Sequence, residues 1–172
     1  MPDEACVDVY YALTNAGEAH GIADYGSFAM NVMRMEKAFK GAGELTNEVT
    51  LPEADVMRFV RLDKEYVGVE ATRASAEADL PWVCAYLQIE PDGGEDGHGG
   101  EAVMQGDTVV GSLASVAFGH TVGSILAFAY INPAASAAGT ELSVIIAGKP
   151  RAATVLGAPA YDPMSSKPRT DA

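Results

Sequence analysis

Few residues in this chain are spaced so that they could do chemistry. The clearest pair lies in GIADYGSFAMNVMRMEKAFKGAGEL, residues 21–45. There Asn31 and Arg34 stand three residues apart, hence on one face of a helix. An Arg and an Asn side by side in so apolar a segment point either to a bound ligand or to an internal salt bridge with another part of the chain. Asp92, Glu95, Asp96, His98 and Glu101 crowd the loop PDGGEDGHGGE, but their spacing matches no EF-hand and supplies no pair of soft ligands. That loop reads as a solvated hairpin connection, and no metal is expected. His20 stands beside a Gly at a helix-to-strand joint, and His120 sits in FGHTVG, the place of a hydrogen-bonded turn residue. Ser112, Ser115 and Ser124 fall in predicted strands with no partner base. There is no G-x-S-x-G, GxGxxG, Walker loop or HExxH, and the Gly-rich stretches do not precede helices. No catalytic residue is assigned.

The element that must carry Asn31 and Arg34 is a helix over Ser27 to Lys40. Phe28, Val32, Met35 and Phe39 fall at helical spacing with Ala29 and Met33 beside them, which predicts one buried face. Asp24 or Ser27 is placed to cap the start and Gly41 or Gly43 to end it. Glu36 and Lys40 are expected to pair on the wet side. Before it, Pro2-Asp3 reads as a cap, and Cys6, Val9, Tyr10 and Leu13 make an apolar stripe on a helix from Glu4 to Asn15. A lone helix is an unusual start for a compact domain, so the N-terminus reads as a cut through a larger one. After Leu45, Pro52 with Thr50 behind it reads as a helix start. Met57 to Leu62 alternates like a short strand, and Gly68 to Ala78 is a helix closed by Asp79-Leu80-Pro81.

From Trp82 the texture changes. WVCAYLQIE, EAVM, TVVGSLASVAF, SILAFAYI, ELSVII and RAATVLG are short apolar or alternating runs separated by Gly, Pro, Asp and Asn. Such spacing predicts a small antiparallel barrel or sandwich, with a hairpin turn at Gln105-Gly106-Asp107. Charge narrows the partners. Lys and Arg number 11 against 24 Asp and Glu, a formal charge of −13, so nucleic acid and anionic membranes are repelled. Cys6 and Cys84 have no metal-ligand spacing and fit a reducing compartment, with both thiols as small core residues. With no apolar h-region at the start and no run long enough to span a membrane, a soluble protein of the cytoplasm or the mitochondrial matrix is expected.

The order of motifs goes further. GIADYGSFAMNVMRMEKAF, LTNEVTLPEADVMRFVRLDKEYVG and GGEAVMQGDTVVGSLASVAFGHTVGSILAFAYI resemble the C-terminal half of the glycine cleavage T-protein (aminomethyltransferase) family. The branch they are most similar to is the one fused to flavoprotein dehydrogenases of dimethylglycine and sarcosine. Patterns of the type LRLEKG, LTNE-x-TPLEAGL, F-V-x-LDK-x-FIG and YGHTVG map onto Met33 to Ala38, Leu45 to Val56, Phe59 to Gly68 and the stretch ending at Gly123. The tail from Gly139 to Val155, with Tyr161-Asp162-Pro163, also fits. The resemblance implies an α+β fold: residues 1–64 as the C-terminal part of a partial α/β folate-binding domain, and residues 65–172 as a C-terminal antiparallel β-barrel. It implies tetrahydrofolate as the cofactor, with FAD only on a missing domain or subunit, and a folate that carries the one-carbon chemistry while the protein orients it. The family's catalytic Asp and its pterin-binding Glu both precede the region matched. The missing N-terminal folate and flavin portion is then the expected partner. The folate-holding Arg of the family's ARD motif aligns with Met30. The resemblance then gives the role to Arg34, with Asn31 and Tyr25 beside it, and Arg34 is alternatively a structural Arg of the family. A free-standing, non-catalytic barrel module is the other class of function.

Overall fold

The computed structural model describes residues 2–169. They fall into two compact units, Met1–Met30 and Asn31–Ala172. The first contains a 3-10 turn at Asp3–Ala5, helix α1 over Cys6–Gly17 and a second 3-10 turn at Glu18–His20. Pro2 is extended, and no side chain caps the first turn, so Asp3 does not act as the cap its type suggested. None of α1's residues is buried. An apolar stripe is buried only where something opposes it. Here Val9, Tyr10 and Leu13 stay exposed, and Cys6 is a surface thiol rather than a core residue. Gly21 turns left-handed at φ 69°, and Ile22 folds back onto Gly17, its amide bonded to the Gly17 carbonyl at 3.1 Å. No strand follows His20; the chain runs irregularly to helix α2, Ser27–Glu36, inside which the unit boundary falls.

The second unit is built on a closed barrel of six antiparallel strands in the order β1-β4-β3-β2-β5-β6. They are β1 Val83–Ile89, β2 Ala102–Gln105, β3 Thr108–Gly119, β4 Ser124–Ile131, β5 Glu141–Ile146 and β6 Lys149–Leu156. Each of the six runs found in the sequence supplies one strand. The β2–β3 turn is Gly106-Asp107, with Gly106 at φ 60° as the first position of such a tight turn requires. Inside the barrel, Leu87, Ile89, Val103, Ile125, Ala127, Ile131 and Val144 have no exposed surface. β5 and β6 alternate buried and open residues, whereas β1 and β4 are buried on both faces. The reason is a second cluster on the outer wall, where Met35 packs with Cys84, Tyr86, Leu126 and Phe128.

Between α2 and the barrel, two expectations are corrected and a third holds. Thr50 and Glu53 form a reciprocal cap, Thr50 N–H to Glu53 Oε2 at 2.7 Å, but only one helical turn follows before Asp55 turns left-handed at φ 51°. Met57 to Leu62 is not a strand: it holds a 3-10 turn at Met57–Phe59, because the barrel closes through β1 and β6 and offers no free edge for it. Helix α3, Val69–Glu77, forms as its Ala- and Glu-rich sequence predicts, with Gly68 before it at φ 90°.

Candidate functional site

Helix α2 stops one turn earlier than its periodicity suggests, and not at a glycine. Ala38 takes φ 54°, its N–H donates to the Met35 carbonyl at 3.0 Å, and Phe39 N–H donates to the Arg34 carbonyl at 2.8 Å. This paired cap leaves a left-handed residue at the position where Gly is usual. The strain is held by three contacts from outside the helix: Tyr86 Oη donates to the Met35 carbonyl at 2.7 Å, Tyr161 N–H to the Glu36 carbonyl at 3.0 Å, and Lys37 Nζ to the Asp162 carbonyl at 2.7 Å. Consequently Phe39 points outward and is 60% exposed, while burial on α2 centres on Met35 and Glu36. Phe28, expected in the buried face, is 89% exposed. Glu36 does not pair with Lys40. Its carboxylate is buried and accepts from Thr121 N–H at 2.6 Å, and Lys40 pairs instead with Asp55 at 3.0 Å.

Asn31 and Arg34 meet as their spacing requires. Arg34 Nε donates to Asn31 Oδ1 at 2.8 Å, Nη1 to the Phe39 carbonyl at 3.1 Å and Glu44 Oε2 at 3.0 Å, and Nη2 to Ser115 Oγ at 3.2 Å. Glu44 has no exposed surface, accepts a further bond from Gly41 N–H at 2.6 Å, and receives Tyr130 Oη on its carbonyl at 2.7 Å. Its Oε1 is buried without a hydrogen-bond partner among the described residues. The salt-bridge alternative for Arg34 is therefore realised, and Ser115 is its long-range anchor.

Ser115 reaches that position through a bulge. Leu113 faces Ala129 inside the barrel, Ser115 faces Phe128 outside it, and the register shifts between them. Without the extra residue, Ser115 would point into the core. The loop beneath can pass this close only because it has no side chain at Gly43, where a Cβ would lie 2.5 Å from Ser115 Oγ. Neither the bulge nor the role of Glu44 was visible in the sequence; the only signal was a carboxylate set among glycines in GAGEL.

Tyr25 is in the irregular stretch of the first unit and is 67% exposed. In residues 91–101, Glu101 accepts from His98 and Gly99 N–H within the loop, and Asp92 ties the loop to the buried Arg151 of β6 at 2.7 Å. Among the described residues, no three His, Cys, Asp or Glu side chains converge as metal ligands would. Below Phe39 lies a cleft of about 370 Å³ lined by Lys40, Asp55, Cys84 and Phe128, beside an apolar groove of about 410 Å³ walled by Leu45, Leu51 and Phe59. Burial pushes the Cys84 thiol and the Tyr86 phenol each up to about 12 and raises the Tyr130 phenol too, so all three are neutral hydrogen-bonding groups at physiological pH.

Comparisons with known proteins agree with this architecture. A family model described as the GCVT N-terminal domain matches residues 1–64, and one described as the glycine cleavage T-protein C-terminal barrel domain matches residues 84–162. Human mitochondrial dimethylglycine dehydrogenase is 33% identical over 159 residues, covering 91% of this chain but 18% of that protein. An aminomethyltransferase of Streptomyces coelicolor is 34% identical over 165 residues, covering 92% of this chain and 44% of its own length. The crystal structure of glycine cleavage system aminomethyltransferase T from Bartonella henselae superimposes with a TM-score of 0.71 at 20% identity, over 78% of this chain and 38% of that one. The chain thus spans less than half the length of these relatives. No helix among the described residues is long and apolar enough to cross a membrane. With matches to both parts of the family in their order along the chain, and the barrel in the structure, this chain belongs to the glycine cleavage T-protein family.

Proposed function

We propose that this chain is the C-terminal portion of a tetrahydrofolate-dependent one-carbon (aminomethyl) transferase, of the kind joined to dimethylglycine or sarcosine dehydrogenases. Residues 1–64 are the end of its folate-binding domain and residues 65–172 its barrel domain. The catalytic Asp, and FAD where a flavin step precedes the transfer, belong to polypeptide that completes it. The cytoplasm, or the matrix in a eukaryote, is the proposed location. The observation that carries this reading is the state of α1: residues matching a folate-family domain form a helix that leaves Val7, Tyr10, Tyr11 and Leu13 exposed, with none of its residues buried. An exposed apolar face of this kind is what a completing surface would cover.

The chain's own residues suit a supporting wall for folate rather than a reacting centre. Tyr25 offers an exposed ring on the first unit, and Asn31 a half-buried carboxamide on the second. Arg34 supports Asn31 with a guanidinium already shared among four acceptors. When bound, tetrahydrofolate supplies the acceptor nitrogens for the one-carbon unit. Asn31, held by Arg34, orients it from the second unit, and Tyr25 supplies a ring from the first.

Folate titration of the isolated chain and of its complex with the polypeptide encoded beside it tests this. Weak or no binding is expected for the chain alone and firm binding for the complex. Micromolar binding by the isolated chain would overturn the proposal. Arg34→Ala in the complex is expected to weaken folate binding or stability, and unchanged values for both would remove Arg34 from it.

A further inference from the structure

Arg34 decides which way the Asn31 carboxamide faces. A guanidinium only donates, so the Asn31 atom 2.8 Å from Arg34 Nε is the carbonyl oxygen Oδ1. The same contact fixes the amide's orientation and leaves the two Nδ2 hydrogens with no acceptor among the described residues. Arg34 is itself immobilised, since Glu44 holds Nη1 at 3.0 Å and Ser115 takes Nη2 at 3.2 Å. Glu44 in turn is locked by Gly41 N–H on its carboxylate and by Tyr130 on its carbonyl. A fully buried carboxylate thus determines, two bonds away, how a half-buried amide presents its donors.

We propose that Glu44 is a positioning residue that acts through Arg34 on Asn31, and that Asn31 Nδ2 donates to an acceptor oxygen of tetrahydrofolate. This rests on the folate reading above and adds the atom and the device that orients it. A preset amide donor loses no rotamer freedom on binding, whereas a free one would lose affinity to that ordering. Glu44 touches nothing but the chain and acts only by orientation.

The test uses the completed assembly and tetrahydrofolate itself. Asn31→Asp keeps an oxygen for Arg34 and removes both donors, and is expected to weaken tetrahydrofolate binding about tenfold. Glu44→Gln is expected to weaken it about threefold, an effect that disappears in the Asn31→Asp background because both act on one donor. A merely structural Glu44 would weaken binding equally in either background, and that result overturns the positioning role. Should Asn31→Asp fail to fold, Asn31→Ser, which keeps a short acceptor and removes the amide, carries the same expectation. Affinity within twofold of wild type for the folded Asn31 variant overturns the inference and leaves the folate reading standing. A wild-type assembly that binds no tetrahydrofolate overturns both.

Discussion

The barrel and the N-terminal helix use the same kinds of side chain to opposite ends. In β1 and β4, Leu87, Ile89, Leu126 and Phe128 are at most 1% exposed, while in α1 Val7, Tyr11 and Leu13 are 58% to 62% exposed. The two stretches do not differ in hydrophobicity so much as in what faces them. The barrel's inward-facing apolar residues meet one another across the interior, and Met35 with its neighbours covers Leu126 and Phe128 on the outside. Helix α1 has no such counterpart within its own unit. Pattern therefore says that a face wants burial, and only the presence of an opposing surface says whether it gets it.

The contrast can be broken or sharpened by substitution, from the strongest effect down. Phe128→Ala, at the barrel wall behind α2, should cost about 4 kcal/mol in urea unfolding. Arg34→Ala should cost about 3 kcal/mol, because it leaves the Glu44 carboxylate buried without its cation. If it instead costs nothing, the network is not what ties α2 to the barrel. Gly43→Ala should cost about 2 kcal/mol through collision with Ser115 Oγ, and a Ser115→Ala background should recover part of the loss.

A pH effect follows from the Cys84 thiol and the Tyr86 phenol, whose burial raises both to about 12. The unfolded chain releases these protons at lower pH than the folded one. Their contribution to stability is therefore complete below about pH 9, near the unfolded thiol value, and is lost as pH rises toward 12. Denaturant midpoints measured across that window should fall, and less steeply for Cys84→Ala. In the folded chain at pH 8, a disulfide reagent should titrate exposed Cys6 and spare buried Cys84. The smallest expected effect is at Leu13→Ser, within about 0.5 kcal/mol in the isolated chain. The same substitution should weaken association with the completing polypeptide. A loss comparable to that of Phe128→Ala would show that α1 is already covered and would end the comparison.

Much of the architecture was legible. The barrel strands announced themselves because closure needs short alternating runs with Gly, Pro, Asp and Asn between them, and these are local signals. The Asn31–Arg34 contact was legible for the same reason, since three residues of helix bring the two side chains together whatever surrounds them. The helix end was not legible. Gly41 and Gly43 looked like its stop, yet Ala38 ends it, because Tyr86 and Tyr161 hold the Met35 and Glu36 carbonyls from distant parts of the chain, and Lys37 donates in turn to the Asp162 carbonyl. The glycines serve instead to let the loop pass under Ser115 and Arg34.

Glu36 and Glu44 mark the same division. A Glu four residues before a Lys on a helix reads as a surface pair, and a Glu between glycines reads as a loop residue, yet both are buried carboxylates. Periodicity, turn chemistry and charge balance belong to neighbouring residues and were determined by the sequence on its own. Which carboxylate meets a guanidinium, and which serine a bulge turns outward, depends on residues well beyond one helical turn being brought together, as between Arg34 and Glu44 at 3.0 Å and Arg34 and Ser115 at 3.2 Å. Barrel closure decided that, because hydrogen-bond register between strands sets where every outward side chain points.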